Sequence, residues 1–176
     1  MRFEMRQWPA LLLVVIAACT NMPEPYRPAM RRQPMAGPDI THLKHFVPMS
    51  DPYAQDHILQ DVSMHLEPAG WRWTGKRPTF RMVLPSTNKL RLLAEFWLND
   101  EGLKTTGPLT IAFSVNGKLL DKAAYSSPGS QKFEKAVDAS WLRANDDTIV
   151  TMDLDKTWRS GDRELGVQLF RIGFLD

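Results

Sequence analysis

The chain has 176 residues, of which 22 are lysine or arginine and 20 are aspartate or glutamate, and 43% of its residues are hydrophobic. This near-neutral balance offers no basic surface for nucleic-acid binding, and the hydrophobic fraction is too high for a disordered chain. Because there is one cysteine, no intramolecular disulfide can form, and the fold must be stabilised by its apolar core.

The first 18 residues have the pattern of a secretory signal peptide. Arg2 and Arg6 give a basic start, an unbroken apolar run begins at Leu11, and two small residues end the run at Ala18. The run is too short to cross a bilayer, which takes about 20 apolar residues. We therefore predict an exported protein whose leader is formed by residues 1–18.

Residues Ile16-Ala17-Ala18-Cys19 resemble the lipobox of bacterial lipoproteins, in which an aliphatic residue and two small residues precede a cysteine. The resemblance implies cleavage before Cys19, a diacylglycerol thioether on its sulfur and acylation of the new amino terminus. This covalent lipid is the one bound group that we expect, because two or more acyl chains hold a soluble domain stably at a membrane. A residue other than aspartate after the cysteine, here Thr20, implies transport to the outer membrane. The alternative is an incidental cysteine in a cleaved leader.

Residues 19–56 contain seven of the 13 prolines and keep neither a helical nor a strand period. Proline removes amide donors and fixes φ, so we predict an extended, semi-rigid tether. His42 and His45 lie three residues apart in this segment, but no further ligand pair accompanies them, and we expect no zinc there.

Residues 57–176 alternate between apolar and polar positions and predict one all-β domain built as a two-sheet sandwich. Asn116-Gly117 follows an alternating run and predicts a tight hairpin, because both residues tolerate positive φ. The last alternating run changes phase near Leu169 and Phe170, which predicts a β-bulge or a strand that crosses between sheets. The segment "DASWLRANDD" predicts a single helical turn or a loop. The apolar residues that share a face are Leu90, Leu92, Ala94, Phe96 and Leu98; Leu109, Ile111, Phe113 and Val115; Phe133 and Val137; and Val150, Met152 and Leu154.

Three short motifs occur in an order that resembles the jelly-roll β-sandwich modules attached to bacterial surface-polysaccharide glycosyltransferases. The resemblance implies a jelly-roll-like antiparallel sandwich and a saccharide-rich setting. No transferase domain accompanies the motifs, so the resemblance implies no catalysis. The motifs are Trp73-Thr74-Gly75, Val115-Asn116-Gly117, and Asp162-Arg163 followed by Leu165-Gly166-Val167.

Arg163 has the same parity as the apolar residues Leu165 and Val167, which predicts a guanidinium that points inward at one end of a sheet. Asp162 or backbone carbonyls would then accept its hydrogen bonds, as a structural clamp at the rim of the sandwich. A binding role for the pair is the weaker alternative, since an unpaired buried charge is costly. Gly166 predicts a close backbone approach.

The outer face of the strand "LRLLAEFWL" carries the candidate binding site. Arg91, Leu93, Glu95 and Trp97 point away from its apolar set. An indole beside charged groups suits a pyranose, whose apolar face stacks while its hydroxyls form hydrogen bonds. The alternative is that a loop or the tether covers Trp97. Trp158, in the loop before the last strand, is a second candidate. Of Trp71 and Trp73, we expect at least one in the core.

The sequence contains no G-x-S-x-G, G-x-x-x-x-G-K or H-E-x-x-H motif, although two distant carboxylates of a glycosidase would leave no motif. Asn145, Asp146 and Asp147 are oxygen donors that suit calcium, but the cluster is also ordinary turn chemistry, and we predict no metal site. The chain is thus predicted to be a lipoprotein of the outer membrane that binds envelope or extracellular polysaccharide without catalysis. The alternative is a structural or adaptor lipoprotein that docks the same face on an envelope protein.

Overall fold

Nine strands of one antiparallel sheet fold into two layers within residues 42–176, the part of the chain that the computed structural model describes. The predicted leader, Cys19 and the tether up to residue 41 lie outside the described residues. Among the described residues, no helix has the length and apolar character that spanning a membrane requires.

The strands are short to medium in length, and the two α-helices have four and seven residues. A 3₁₀ turn at Ala139–Trp141 lies in the segment where the sequence predicted a turn or a loop. The elements in chain order are β1 (Phe46–Pro48), α1 (Ala54–His57), β2 (Ile58–Val62), β3 (Arg72–Val83), β4 (Arg91–Leu98), α2 (Asp100–Thr106), β5 (Leu109–Val115), β6 (Lys118–Tyr125), β7 (Gly129–Ala136), β8 (Asp147–Leu154), β9 (Trp158–Ser160), β10 (Arg163–Leu165) and β11 (Gln168–Leu175).

The first layer has the strand order β1-β11-β4-β7, and the second has the order β2-β3-β8-β5-β6. The two layers are joined where β3 pairs with β11, with Trp73 opposite Gln168. When β2 and the small β9-β10 hairpin are set aside, the remaining eight strands interlock in the jelly-roll order of a two-sheet sandwich. The predicted fold class, an all-β antiparallel sandwich, is confirmed.

The sandwich begins earlier in the chain than the sequence predicted. Val47 of β1 pairs with Ile172 of β11, and Val47 and Met49 are fully buried. The residues from Phe46 onward therefore belong to the sandwich and not to the tether that was predicted to extend to residue 56. The sequence concealed this because a three-residue strand is too short to display a period of two, and its partner is the last strand of the chain.

The predicted apolar faces form the core between the two layers. The core-facing residues predicted on β4, β5 and β8 are all buried, as are Phe133 and Val137. The rings of Phe113 and Phe133, from opposite layers, stack with their centroids 3.6 Å apart. Period-two alternation thus identified which side of β4, β5 and β8 faces the opposite layer.

The predicted hairpin and bulge are both present. Asn116 and Gly117 have φ angles of 49° and 76°, and they connect β5 to β6 through the pair Val115 and Lys118. The register of β11 against β4 shifts between Leu169 and Arg171, which confirms the phase change. Beyond the bulge, Arg171 points outward, whereas the apolar residues Ile172 and Phe174 are buried.

Gly166 makes the predicted close approach. A Cβ atom at this position would lie 2.5 Å from the carbonyl oxygen of Gly75 and 2.6 Å from Oγ1 of Thr74. The backbone at this point is fixed by hydrogen bonds, since Gly166 N donates to Thr74 O at 2.7 Å and Val167 N donates to Thr74 Oγ1 at 3.0 Å. A residue without a side chain is therefore required where the chain enters β11.

The predicted inward clamp at Arg163 is not found. Arg163 is exposed, and neither it nor Asp162 forms an ion pair within residues 42–176. β10 pairs with β9 in a small hairpin outside the two layers, so sharing the parity of the buried Leu165 does not place Arg163 inside the sandwich. A buried arginine clamp is formed instead by Arg72 on β3, which is 4% exposed.

The guanidinium of Arg72 is held by backbone carbonyl groups. Its Nε donates to Met49 O at 3.1 Å, and its Nη1 donates to Ser63 O at 3.3 Å and also to Met64 O. Burial lowers the pKa of Arg72. In "WRW" the arginine thus faces inward and both tryptophans face outward, the reverse of the usual assignment of polar and apolar residues.

Candidate functional site

The outer face of β4 presents Arg91, Glu95 and Trp97 as the sequence predicted, whereas Leu93, predicted on the same face, is only 3% exposed. Arg91, Glu95 and Trp97 alternate with the buried Leu92 and Phe96. The indole of Trp97 is 43% exposed, so no loop of the described chain covers it. An exposed indole combines a large apolar surface with one polar N–H group, which makes this sheet face a candidate interaction surface.

Glu95 is paired with Arg171 of the neighbouring strand β11, directly opposite it in register. Arg171 Nε donates to Glu95 Oε2 at 2.6 Å, and Nη2 donates to Oε1 at 2.7 Å. The hydrogen bond that Arg171 donates to Glu95 raises the pKa of Arg171, and the guanidinium also lies 6.0 Å from the centre of the Phe46 ring. The two charges therefore neutralise each other beside Trp97.

Arg91 belongs to a second group of charges at the other end of β4. Its Nη2 lies 2.6 Å from Glu134 Oε1, and the second oxygen of Glu134 lies 2.5 Å from Lys132 Nζ. The hydrogen bond from Lys132 lowers the pKa of Glu134. Arg91 is four residues from Glu95 on an extended strand, about 13 Å away. The structure therefore separates Arg91 from the indole of Trp97.

A cleft of about 480 Å³ lies beside Trp97 on this face. Its volume is within the range of small-ligand sites. Trp97 and Phe170 offer apolar surface, and Glu95 and Arg171 offer paired charges. Ser130 contributes a hydroxyl group, and Gly70 also lines the cleft. Phe170 is the residue at the bulge of β11, so the bulge places an aromatic ring beside the cleft. We call this surface the Trp97 cleft.

Trp158 is not brought into the Trp97 cleft. Its indole packs against Gly102 of α2, its ring centre lies 6.0 Å from that of Trp73, and its Nε1 is buried without a hydrogen-bond partner in the described chain. The adjoining cavity is only about 20 Å³, space for roughly one water molecule. Trp158 is therefore half-buried, and its ring packs against one side of Trp73.

Trp71 and Trp73 are both half-buried, and their ring centres lie 5.2 Å apart in an edge-to-face arrangement. The prediction that at least one of them packs in the core is wrong, because Arg72 takes the inward position between them. The three indoles of Trp71, Trp73 and Trp158 form a cluster outside the core.

Several residues of the Trp97 cleft could not be recognised in the sequence. Phe170 and Arg171 belong to the strand whose phase change was noted, but their proximity to Trp97 depends on β11 lying beside β4. Ser130 in β7 and Gly70 in the loop before β3 are small residues that lie far from Trp97 in the sequence. The bulge was the one signal that could have placed Arg171 on the outer face.

The acidic loop before β8 is engaged in local contacts. Asp146 Oδ1 accepts a hydrogen bond from Asp147 N at 2.8 Å, Asp147 lies 3.7 Å from Arg81, and Asn145 has a φ of 57°. Within residues 42–176, no group of three or more His, Cys, Asp or Glu side chains is arranged to hold a metal ion.

No protein-family model matches the chain, and no curated protein gives a significant match. The chain is similar to dimeric latent PorU from Porphyromonas gingivalis, at 10% identity and a TM-score of 0.42, over 56% of this chain and 10% of that one. The present chain thus spans about a tenth of the length of PorU.

Two smaller structures are also similar. A family 35 carbohydrate-binding module in complex with a glucuronic-acid-containing disaccharide has 11% identity and a TM-score of 0.45, over 74% of this chain and 92% of that one. The family 35 module from Clostridium thermocellum has 10% identity and a TM-score of 0.43, over 74% and 98% of the two chains. Similarity at this level supports no conclusion about the function of the present chain.

Proposed function

We propose that this protein is an acylated lipoprotein of the cell envelope, and that its sandwich domain binds polysaccharide at the Trp97 cleft without catalysis. The observation that carries the proposal is the exposed indole of Trp97 on a sheet face, beside a charge pair that is already neutralised. An indole stacks on the apolar face of a pyranose, and the neighbouring polar groups bond to its hydroxyls.

The sequence pattern at Cys19 supports the envelope part of the proposal. Cys19 would carry the lipid, and the proline-rich chain between Cys19 and Phe46 would tether the sandwich to the membrane. Mass spectrometry of the native protein is expected to show an amino-terminal cysteine carrying acyl chains, and Cys19→Ser is expected to lose them and to leave the membrane fraction. An intact leader or an unmodified thiol would contradict this part.

The binding part is tested by a glycan array that compares the parent protein with Trp97→Ala. Loss of the central aromatic contact is expected to weaken retention about tenfold. Leu119→Ala is the matched control, because Leu119 is also an exposed apolar side chain on a strand but lies on β6 of the other layer. Equal retention by Trp97→Ala and the parent would refute binding at the Trp97 cleft. Release of sugar from a bound polymer would refute the absence of catalysis.

The second candidate function is an adaptor that docks on an envelope protein. Met64 and Leu66, in the loop between β2 and β3, are 58% and 38% exposed, and Arg72 fixes this loop through Met64 O. Exposed apolar side chains on a rigid loop suit a protein partner. Cross-linking in the membrane is expected to give one stoichiometric partner, which Met64→Ser would lose. A parent protein that cross-links to no such partner would exclude the adaptor function.

A further inference from the structure

We propose that the binding site extends from Trp97 across Gln168 to Trp73, and that it takes an extended, uncharged glycan of several linked sugars. This inference rests on the proposed function and specifies its ligand class. It follows from the strand register, from the chemistry of Gln168 and from the charge balance of the Trp97 cleft.

The register places these three residues in one row across three neighbouring strands. Gln168 of β11 is the direct partner both of Trp73 on β3 and of Trp97 on β4. Side chains that are opposite each other in adjacent strands share a face. The next row along the strands consists of residues that are 4% exposed or less and point inward: Arg72, Leu169 and Phe96. The row of Trp73, Gln168 and Trp97 is therefore on the outer face.

The amide of Gln168 lies between the two indole-bearing positions and is half-buried. Its side chain makes no hydrogen bond within the part of the chain that the structure describes. An amide offers one acceptor oxygen and two donor hydrogens, so it matches a hydroxyl group that both donates and accepts. Gln168 thus supplies the polar contact of the row, and the tryptophans supply its apolar ones.

The separation of the two tryptophans calls for more than one sugar ring. Strands in a sheet are about 4.8 Å apart, so the backbones of Trp73 and Trp97 are about 10 Å apart. This distance is comparable to two pyranose rings linked in line. The edge-to-face contacts of Trp73 with Trp71 and Trp158 hold its ring in place without any contribution from a ligand. A single sugar could contact one end of the row only.

At the Trp97 end of the row, the charges favour an uncharged ligand. Both oxygens of Glu95 are bonded to Arg171, so the Trp97 cleft presents no unpaired charge to an incoming acidic sugar. Two of the five N–H donors of Arg171 are used by Glu95, and the remainder can serve neutral hydroxyls. Binding is therefore expected to be insensitive to salt, which screens charge interactions and leaves stacking and neutral hydrogen bonds nearly unchanged.

The experiment is calorimetric titration of the full chain in detergent with xylo- and cello-oligosaccharides from monosaccharide to tetrasaccharide, and with polygalacturonate as the charged polymer. Affinity for at least one neutral series is expected to rise with chain length and to be the same at low and high salt. Gln168→Ala is expected to weaken tetrasaccharide binding by about tenfold. This is the effect expected when one neutral hydrogen bond is lost and the sugar hydroxyl that made it stays buried without a partner. Gln60→Ala, on β2 and outside the row, is the matched control and is expected to bind as the parent does.

Three results would overturn the inference while leaving the proposed function in place: affinity that is independent of chain length, preferential and salt-sensitive binding of polygalacturonate, or equal affinities of Gln168→Ala and Gln60→Ala. The first two use the parent protein and do not depend on whether a variant folds. Failure of every glycan, including those on the array, to bind the parent would instead refute the proposed function itself.

Discussion

The guanidinium of Arg72 lies 3.1 Å from the carbonyl oxygen of Met49, and this hydrogen bond ties β3 to the chain that leaves β1. The same side chain donates to Ser63 O and Met64 O, so it fixes two loops at one end of the sandwich. The buried guanidinium of Arg72 therefore holds the segment after β1 and the loop after β2 together through their backbone carbonyl oxygens.

We expect Arg72→Met to lower the free energy of unfolding by about 2–4 kcal/mol, since three carbonyl groups lose a charged donor. Methionine keeps much of the apolar stem, so the loss reports mainly on the hydrogen bonds. Urea denaturation measures the change. Arg163→Met is the matched control, because Arg163 is exposed, and we expect a change within about 0.5 kcal/mol. Similar losses in the two variants would contradict the assignment of the clamp to Arg72.

Gly166→Ala is expected to destabilise the domain by about 2–3 kcal/mol, because the new methyl group would overlap the backbone and side chains around Gly75 and Thr74. The backbone at Gly166 cannot move away without breaking its hydrogen bond to Thr74 O. Thermal and urea unfolding would give the size of the effect.

Gly161→Ala separates this overlap from the ordinary cost of replacing a glycine. Gly161 has a φ of 61° and open space around it, so its substitution costs only the backbone conformation, about 1 kcal/mol. If Gly166→Ala proved no more costly than Gly161→Ala, the close approach at Gly166 would not be a packing constraint.

The buried His57 is expected to make the stability depend on pH. Its Nδ1 lies 2.9 Å from Arg81 O, and its Nε2 accepts from Lys44 N at 3.4 Å, which is the bonding of a neutral ring. Burial lowers the pKa of His57, and this outweighs the hydrogen bond to Arg81 and the carboxylates of Asp51 and Asp56, which favour the protonated ring.

Because the folded pKa is lowered, the unfolded state binds more protons at acidic pH, and the stability falls as the pH decreases. The contribution of His57 is complete above its unfolded value of about 6.5 and is lost as the pH falls from there toward the folded value. We expect the unfolding free energy to drop as the pH falls below about 6.5, and His57→Gln to reduce this slope. His65→Gln alters an exposed imidazole and should leave the slope unchanged. Identical slopes in all three proteins would exclude His57 as its source.

The pair of Glu95 and Arg171 is expected to contribute modestly to stability. Both side chains are partly exposed, so a double-mutant cycle with Glu95→Ala and Arg171→Ala should give a coupling energy of about 0.5–1 kcal/mol. High salt should reduce the coupling, because it screens exposed charges. A coupling energy that is zero at low salt would show that the two groups do not act as a pair in solution.

The long strands of this protein could be predicted from the sequence because their apolar residues recur at every second position. The alternation of Leu109, Ile111, Phe113 and Val115 defines an inward face without reference to any other strand. The turn at Asn116-Gly117 and the bulge after Leu169 are equally local, since each depends on consecutive residues. The outward direction of Trp97 followed from the same alternation along β4, but its exposure did not, since Leu93 has the same parity and is buried.

Strand neighbours were decided only by the tertiary structure. The pairing of Glu95 with Arg171 and the row of Trp73, Gln168 and Trp97 depend on β11 lying between β3 and β4, although β11 is far from both in the sequence. The inward position of Arg72 was likewise hidden, because its partners are backbone carbonyls that any sequence would supply. Alternation specifies the face on which a side chain lies, whereas its neighbours on that face depend on the order in which the strands assemble.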